Sequence, residues 1–227
     1  MTELLVVLGA AGLAYWFVLR SQKGSGASVP LAAPRISPQL VQLTAYANRL
    51  YAEKKWLGAE KAYLNILKLN HKDVGAYSHL GIIYSTQKNL ADAIECFDIA
   101  ARLRPSAVTF QNLALAYLDN RNYVKAAATF EKSIMFEATS ARYIGLSKAK
   151  KALHDTSGTI RALELAVKLD PNRRILEFLE QAYVEGKRRD DARKIRDRLV
   201  LLADQNPKTD IITSDDAAAT ATRPHSA

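Results

Sequence analysis

Cysteine is nearly absent: Cys96 stands alone in 227 residues, so no internal disulfide framework holds the chain. In its context, next to Phe97, it reads as a small packed residue rather than a reactive one. Glycine is scarce at 10 residues and proline at 7, which excludes collagen-like and low-complexity organisation. Histidine is rarer still: His71, His79, His154 and His225. No two of them have metal-ligand spacing and none pairs with the cysteine, so no metal site is expected. No Ser/His/Asp set, HExxH motif or glycine-rich nucleotide loop occurs. The cluster Lys-Gly-Ser-Gly at 23–26 lacks the strand and helix that frame a phosphate loop. The chain therefore reads as no enzyme, with no catalytic residue and no cofactor. Runs of alternating β-branched residues are missing as well, which excludes a sheet. So is an acidic surplus, because the net charge is +9.

What is present is a repeating helical pattern. Residues 74–107 read as a helix, a short polar turn, a second helix and a stop at Pro105. Tyr77, Leu80, Gly81 and Tyr84 mark the first helix; Ala93, Phe97 and Ala100 mark the second. The small Gly81 and Ala93 let two antiparallel helices approach, while Leu80, Tyr84 and Phe97 fill the wedge around them. Such a unit cannot bury its own apolar faces and needs neighbours. Copies follow in phase. Upstream stand Leu43, Tyr46, Ala47, Leu50, Ala59 and Tyr63; downstream stand Phe110, Leu113, Ala114, Tyr117, Ala126 and Phe130. A fainter copy carries Tyr143, Leu146, Ser147, Leu163, Ala166 and Pro171, and a fifth carries Leu176, Leu179, Tyr183, Ala192 and Leu199. This pattern resembles the tetratricopeptide repeat (TPR), a helix–turn–helix unit of about 34 residues. The resemblance implies an all-α fold, a right-handed α-solenoid of about five TPR repeats. The expected boundaries are 40–73, 74–106, 107–139, 140–172 and 173–204, within a domain spanning 39–204. The turns inside the pairs are expected at 53–55, 87–89, 119–122, 155–158 and 186–190.

The flanks read differently. Residues 4–19 carry no charge, and sixteen helical residues span about 24 Å. With Arg20 snorkelling and Tyr15 and Trp16 at an interface, 1–20 is expected to be a single transmembrane anchor. A cleaved signal peptide and a buried core helix are the rival readings, but no basic residue precedes the apolar run, and it is hydrophobic on all sides. Arg20, Lys23 and Arg35 on its C-terminal side predict a single-pass membrane protein with the bulk of the chain in the cytoplasm. Residues 21–38 read as a flexible tether and 205–227 as a disordered tail.

Function is sought on the inner wall of the solenoid. In the family that this pattern resembles, set positions of each first helix line a concave groove. Carried over, they give Asn48 and Tyr51; Ser78, His79, Ile82 and Ser85; Gln111, Asn112, Leu115 and Leu118; Ile144, Lys148 and Lys151; and Glu177, Phe178 and Gln181. Apolar pockets for side chains, with Asn48 and Asn112 bonding to a backbone, suit a protein or peptide partner. A clamp for a C-terminal carboxylate is not expected, because Thr44, Ser78, Val108 and Ala141 stand where its lysines should be. The last hairpin is strongly basic, with Lys187, Arg188, Arg189, Arg193, Lys194, Arg196 and Arg198. It reads as a solvated capping face, with an anionic lipid or an acidic protein as possible partners. Nucleic acid is disfavoured, since aromatics do not interleave with these bases. The expectation is a membrane-anchored, non-catalytic adaptor that binds a polypeptide in its groove. The alternative is an envelope assembly or chaperone-like factor with the TPR domain outside the cytosol.

Overall fold

The computed structural model describes residues 37–205, with side chains through residue 202. The chain divides into two units, 1–42 and 43–227. Within the described part of the first, Leu40 donates its backbone N–H to the carbonyl of Ser37 at 2.9 Å as the first helix begins. Ten helices and no strand occur among the described residues: α1 Pro38–Ala52, α2 Trp56–Leu69, α3 Val74–Thr86, α4 Leu90–Leu103, α5 Ala107–Asp119, α6 Tyr123–Phe136, α7 Ser140–Ala152, α8 Thr156–Leu169, α9 Arg173–Glu185 and α10 Arg189–Gln205. In the second unit each odd-numbered first helix from α3 onward packs on the second helix that follows it and on the one before it. The architecture is the all-helical solenoid that the periodicity predicts.

The linkers between repeats end and start helices by one recurrent device. Asp73, Ser106, Thr139 and Asn172 cap α3, α5, α7 and α9, each accepting a backbone N–H three residues on. These caps satisfy donors that a helix start would leave orphaned. Ser106 and Thr109 close a full capping box. The linker before α7 lacks the proline found at 105 and 171, and a buried arginine takes its place. Arg142 donates through Nη1 to the Glu137 carbonyl at 3.0 Å and to Thr139 Oγ1 at 3.2 Å. The Glu137 carboxylate lies 3.0 Å from the same nitrogen.

The turns inside the repeats are tighter than their polar composition suggests. Thr156, Ser157 and Gly158 belong to the first turn of α8, and Arg189 and Asp190 to that of α10. Asp155 draws the chain into helix early by accepting from the Gly158 amide at 2.8 Å. Each turn also holds one residue in the left-handed region: Lys54, Lys88, Arg121, His154 and Lys187. That conformation costs an L-residue about 1–2 kcal/mol, and only glycine escapes it.

Packing follows the small-to-large logic of the sequence. Ala93, Phe97, Ala101, Leu113 and Ala116 form one cluster, and Ala114, Ala126, Phe130, Leu146 and Ala162 another. A methyl group on Gly81 would lie 2.6 Å from Phe97 Cε1, so glycine is what seats that ring.

The single-pass membrane localisation is corrected here. Among the described residues no helix is long and apolar enough to cross a membrane. The longest, α10, has 17 residues and is rich in charge, whereas a span needs about 20 apolar ones. The stretch 4–19, the tether as far as residue 36 and the tail from 206 lie outside the described residues.

Candidate functional site

The positions carried over to the groove fall into three chemically different zones. At the N-terminal end, Tyr51 on α1 meets His79 on α3, and Asn48 joins them through Tyr63. The His79 ring stacks on Tyr63 at 4.8 Å and 10°, and stands edge-on to Tyr51 at 4.9 Å. Tyr51 in turn meets Trp56 edge-on at 5.5 Å. The His79 Nδ1–H donates to the Gly75 carbonyl at 2.8 Å, which fixes the ring and leaves Nε2 as its other polar atom. The Tyr63 hydroxyl donates to Asn48 Oδ1 at 2.8 Å. Burial, with Tyr51 nearby, pushes the Tyr63 phenol up to about 12, so it remains a donor. The Asn48 oxygen is thus engaged, while its amide N–H groups have no partner among the described residues. Ser78 is engaged too, donating to the Val74 carbonyl at 2.8 Å.

The central zone is apolar and less committed. Leu115 is 41% exposed on α5. Gln111, Asn112 and Ile144 are half-buried, and neither amide side chain has a partner among the described residues. Ile82 and Leu118 are half-buried but pack into the two central clusters, so each offers only its outer edge. The C-terminal zone is charged. Lys148 is exposed and unpaired among the described residues. Lys151 is tied to Glu185 Oε1 at 2.7 Å, and Gln181 donates to that same oxygen at 3.0 Å. Arg174 sits 5.7 Å over the ring of Phe178. Glu177 accepts from Arg173 Nε at 3.0 Å.

Two participants escaped the sequence reading: Tyr63, and Glu185 as the partner of Lys151. The cue for Tyr63 was its hydroxyl, at a position where the later repeats carry Phe97 and Phe130. Glu185 gave no cue, because its pairing with Lys151 crosses from one repeat to the next. The basic hairpin is less available than its composition suggests. Arg188 pairs with Glu164 and Asp191, Lys194 with Asp191, and Arg196 with Glu180.

A separate cleft of about 480 Å³ opens between α4 and α6. Its floor is Phe110, Leu113 and Tyr117, and Lys125 and Lys132 stand at its rim. It exists because Ala101 and Ala128 are small. Other repeats carry Leu67, Ile134 and Val167 in register with Ala101, and Lys61, Glu95 and Arg161 in register with Ala128. Cys96 is half-buried, and desolvation pushes its thiol up to about 11, which makes it a poor nucleophile. Among the described residues no group of His, Cys, Asp and Glu could hold a metal ion.

Comparison with known proteins agrees with this architecture. Residues 74–106 match the family model described as tetratricopeptide repeat. A probable UDP-N-acetylglucosamine–peptide N-acetylglucosaminyltransferase SPINDLY from Arabidopsis thaliana is 29% identical over 120 residues. That stretch is 52% of this chain, and the chain spans 13% of the transferase's length, so no transferase activity follows for it. A crystal structure of MamA superposes with a TM-score of 0.70 at 20% identity, over 76% of this chain and 96% of that one. MamA from Desulfovibrio magneticus RS-1 gives 0.67 at 18%, over 77% and 98%. YrrB, described as a TPR protein with an unusual peptide-binding site, gives 0.62 at 15%, over 74% and 86%. At these identities the likeness is one of fold. Residues 74–106 thus match a tetratricopeptide repeat within a solenoid whose fold is that of these structures.

Proposed function

We propose that the protein is a non-catalytic scaffold that binds an extended or helical polypeptide along the concave first-helix face. The observation that carries this reading is the central zone. Leu115 offers exposed apolar surface beside Asn112 and Gln111, whose amides have no partner among the described residues. Free amides beside an apolar ridge suit a peptide backbone whose side chains enter pockets. The aromatic end adds the Asn48 amide donors, and Lys148 at the other end adds an unpaired cation. YrrB, similar in fold, is described as having a peptide-binding site, which agrees with this use of the scaffold.

The test compares polypeptides captured by the full chain and by a variant with Asn112→Ala, Leu115→Glu and Leu118→Glu, after checking that both have equal helicity. Binding through the groove predicts that captured partners are lost, with affinity for any purified partner falling at least about tenfold. An unchanged partner set moves binding off this face.

A further inference from the structure

The turns inside the five repeats share a feature that groove binding does not use. In each, one residue sits in the left-handed region: Lys54 at φ 56°, Lys88 at 64°, Arg121 at 57°, His154 at 59° and Lys187 at 59°. Glycine or asparagine suits that backbone best. Such residues stand one position away, as Asn89, Asn120, Asn122 and Gly186, yet none occupies the strained place. No glycine among the described residues has positive φ. Lysine or arginine stands there in four of the five repeats, and histidine in the other. All five are exposed, and none has a carboxylate partner among the described residues. The same position in successive repeats puts them in one row along the edge where first helices end. A cation at a helix end also meets the partial negative charge of the last carbonyls. Glycine would serve the backbone better, however, and water already solvates those carbonyls.

We infer that this row is a docking edge for an acidic polypeptide segment, distinct from the first-helix face. The spacing selects the chemistry. The first helices α3 and α5 touch, as do α5 and α7. Packed helices lie about 8–10 Å apart. One turn of polyproline II chain, three residues, covers about 9 Å and returns a side chain to the same face. A segment with a carboxylate at every third residue therefore meets one base per repeat. Duplex DNA carries a charge roughly every 1.7 Å, far denser than this row.

The experiment measures fluorescence anisotropy of a labelled peptide, (Glu-Gly-Ser)7, with the full chain at low salt. A second peptide has the same composition with its glutamates in one block, and an oligothymidine is the third probe. The spaced peptide is expected to bind at least about fivefold more tightly than the block peptide, and more tightly than oligothymidine. A variant with Lys54→Gly, Lys88→Gly, Arg121→Gly and Lys187→Gly should lose at least about tenfold in affinity while its melting temperature holds or rises. The groove variant with Leu115→Glu and Leu118→Glu should bind the spaced peptide as the parent does, so failure of the groove and failure of the edge are told apart. The inference is overturned if the spaced peptide does not bind or shows no preference over the block peptide. Equal or tighter binding of oligothymidine overturns it as well. So does unchanged affinity in the glycine variant; a lower melting temperature alongside it assigns the bases to helix termination alone.

Discussion

Asp155 shows how much one side chain organises. It accepts from the Gly158 amide at 2.8 Å and from Ser157 Oγ at 3.1 Å, and Lys150 Nζ lies 3.9 Å away. The Gly158 amide chiefly holds its carboxyl below the usual range, against desolvation and with help from Ser157, Lys150 and Arg161. A methyl group on Gly158 would collide with that carboxylate, so glycine there is a condition of the cap. Asp155→Ala is expected to lower stability by about 1 kcal/mol at neutral pH, measured by urea unfolding. Because the folded pKa is depressed, this contribution is complete above the unfolded value of about 3.9 and disappears as pH falls through the folded one. The gap between variant and parent should therefore close in acid; a gap that persists at low pH would assign the loss to packing. Tyr63 makes a second case. Tyr63→Phe removes the bond to Asn48 and should cost about 1 kcal/mol, read from thermal unfolding, while the ring stack on His79 survives. At this scale the sequence was a partial guide. Asn48 and Asn112 looked alike as backbone-binding amides, yet one oxygen is engaged by Tyr63 and the other side chain has no partner among the described residues. The difference lies in what crosses from a neighbouring helix, which no local pattern encodes.

At the scale of elements, the repeat's own exceptions are the informative positions. Ala114 already carries a methyl at the place Gly81 holds one repeat earlier, and it is fully buried. Yet Gly81→Ala would press on Phe97, at a distance of 2.6 Å, and should destabilise by about 1–3 kcal/mol. Ala101→Leu is expected to act in the opposite direction. It restores the residue size that Leu67, Ile134 and Val167 have in register and fills the cleft beside Leu113. A gain of about 1 kcal/mol in urea unfolding is expected from the added burial, and a loss would mean the cleft walls cannot part. The helices themselves were legible, because small residues, aromatics and Pro105 recur at a fixed spacing. The turns were less so. Polar residues mark both a loop and the first turn of a helix, and Asp155 decided the matter by capping early.

For the chain as a whole, composition misled where the pattern did not. An apolar stretch at 4–19 invited a membrane reading, but no described helix supports a crossing. The basic surplus drew attention to the last hairpin, where carboxylates neutralise Arg188, Lys194 and Arg196. What does follow from the array is a gradient of stability. In a linear stack each repeat contributes its own stability plus an interface with each neighbour. Helices α5 and α6 have neighbours on both sides and hold Leu113, Ala114, Ala126 and Phe130 at no more than 5% exposure. By contrast, α10 packs on α9 and buries Ala192 alone among its described side chains. Beyond Ile195, half-buried on the same cluster, its ties are exposed ion pairs that solvent and salt screen. The last helix should therefore open without the rest. Amides of α10 are expected to exchange with solvent deuterium at least about tenfold faster than those of α5 and α6, a difference of about 1.4 kcal/mol in local opening. Adding salt should widen the gap, since it screens the ion pairs that hold α10 and leaves the central apolar clusters intact. Uniform protection from α3 to α10 would instead mean that the interfaces between repeats are strong enough to make the array a single cooperative unit.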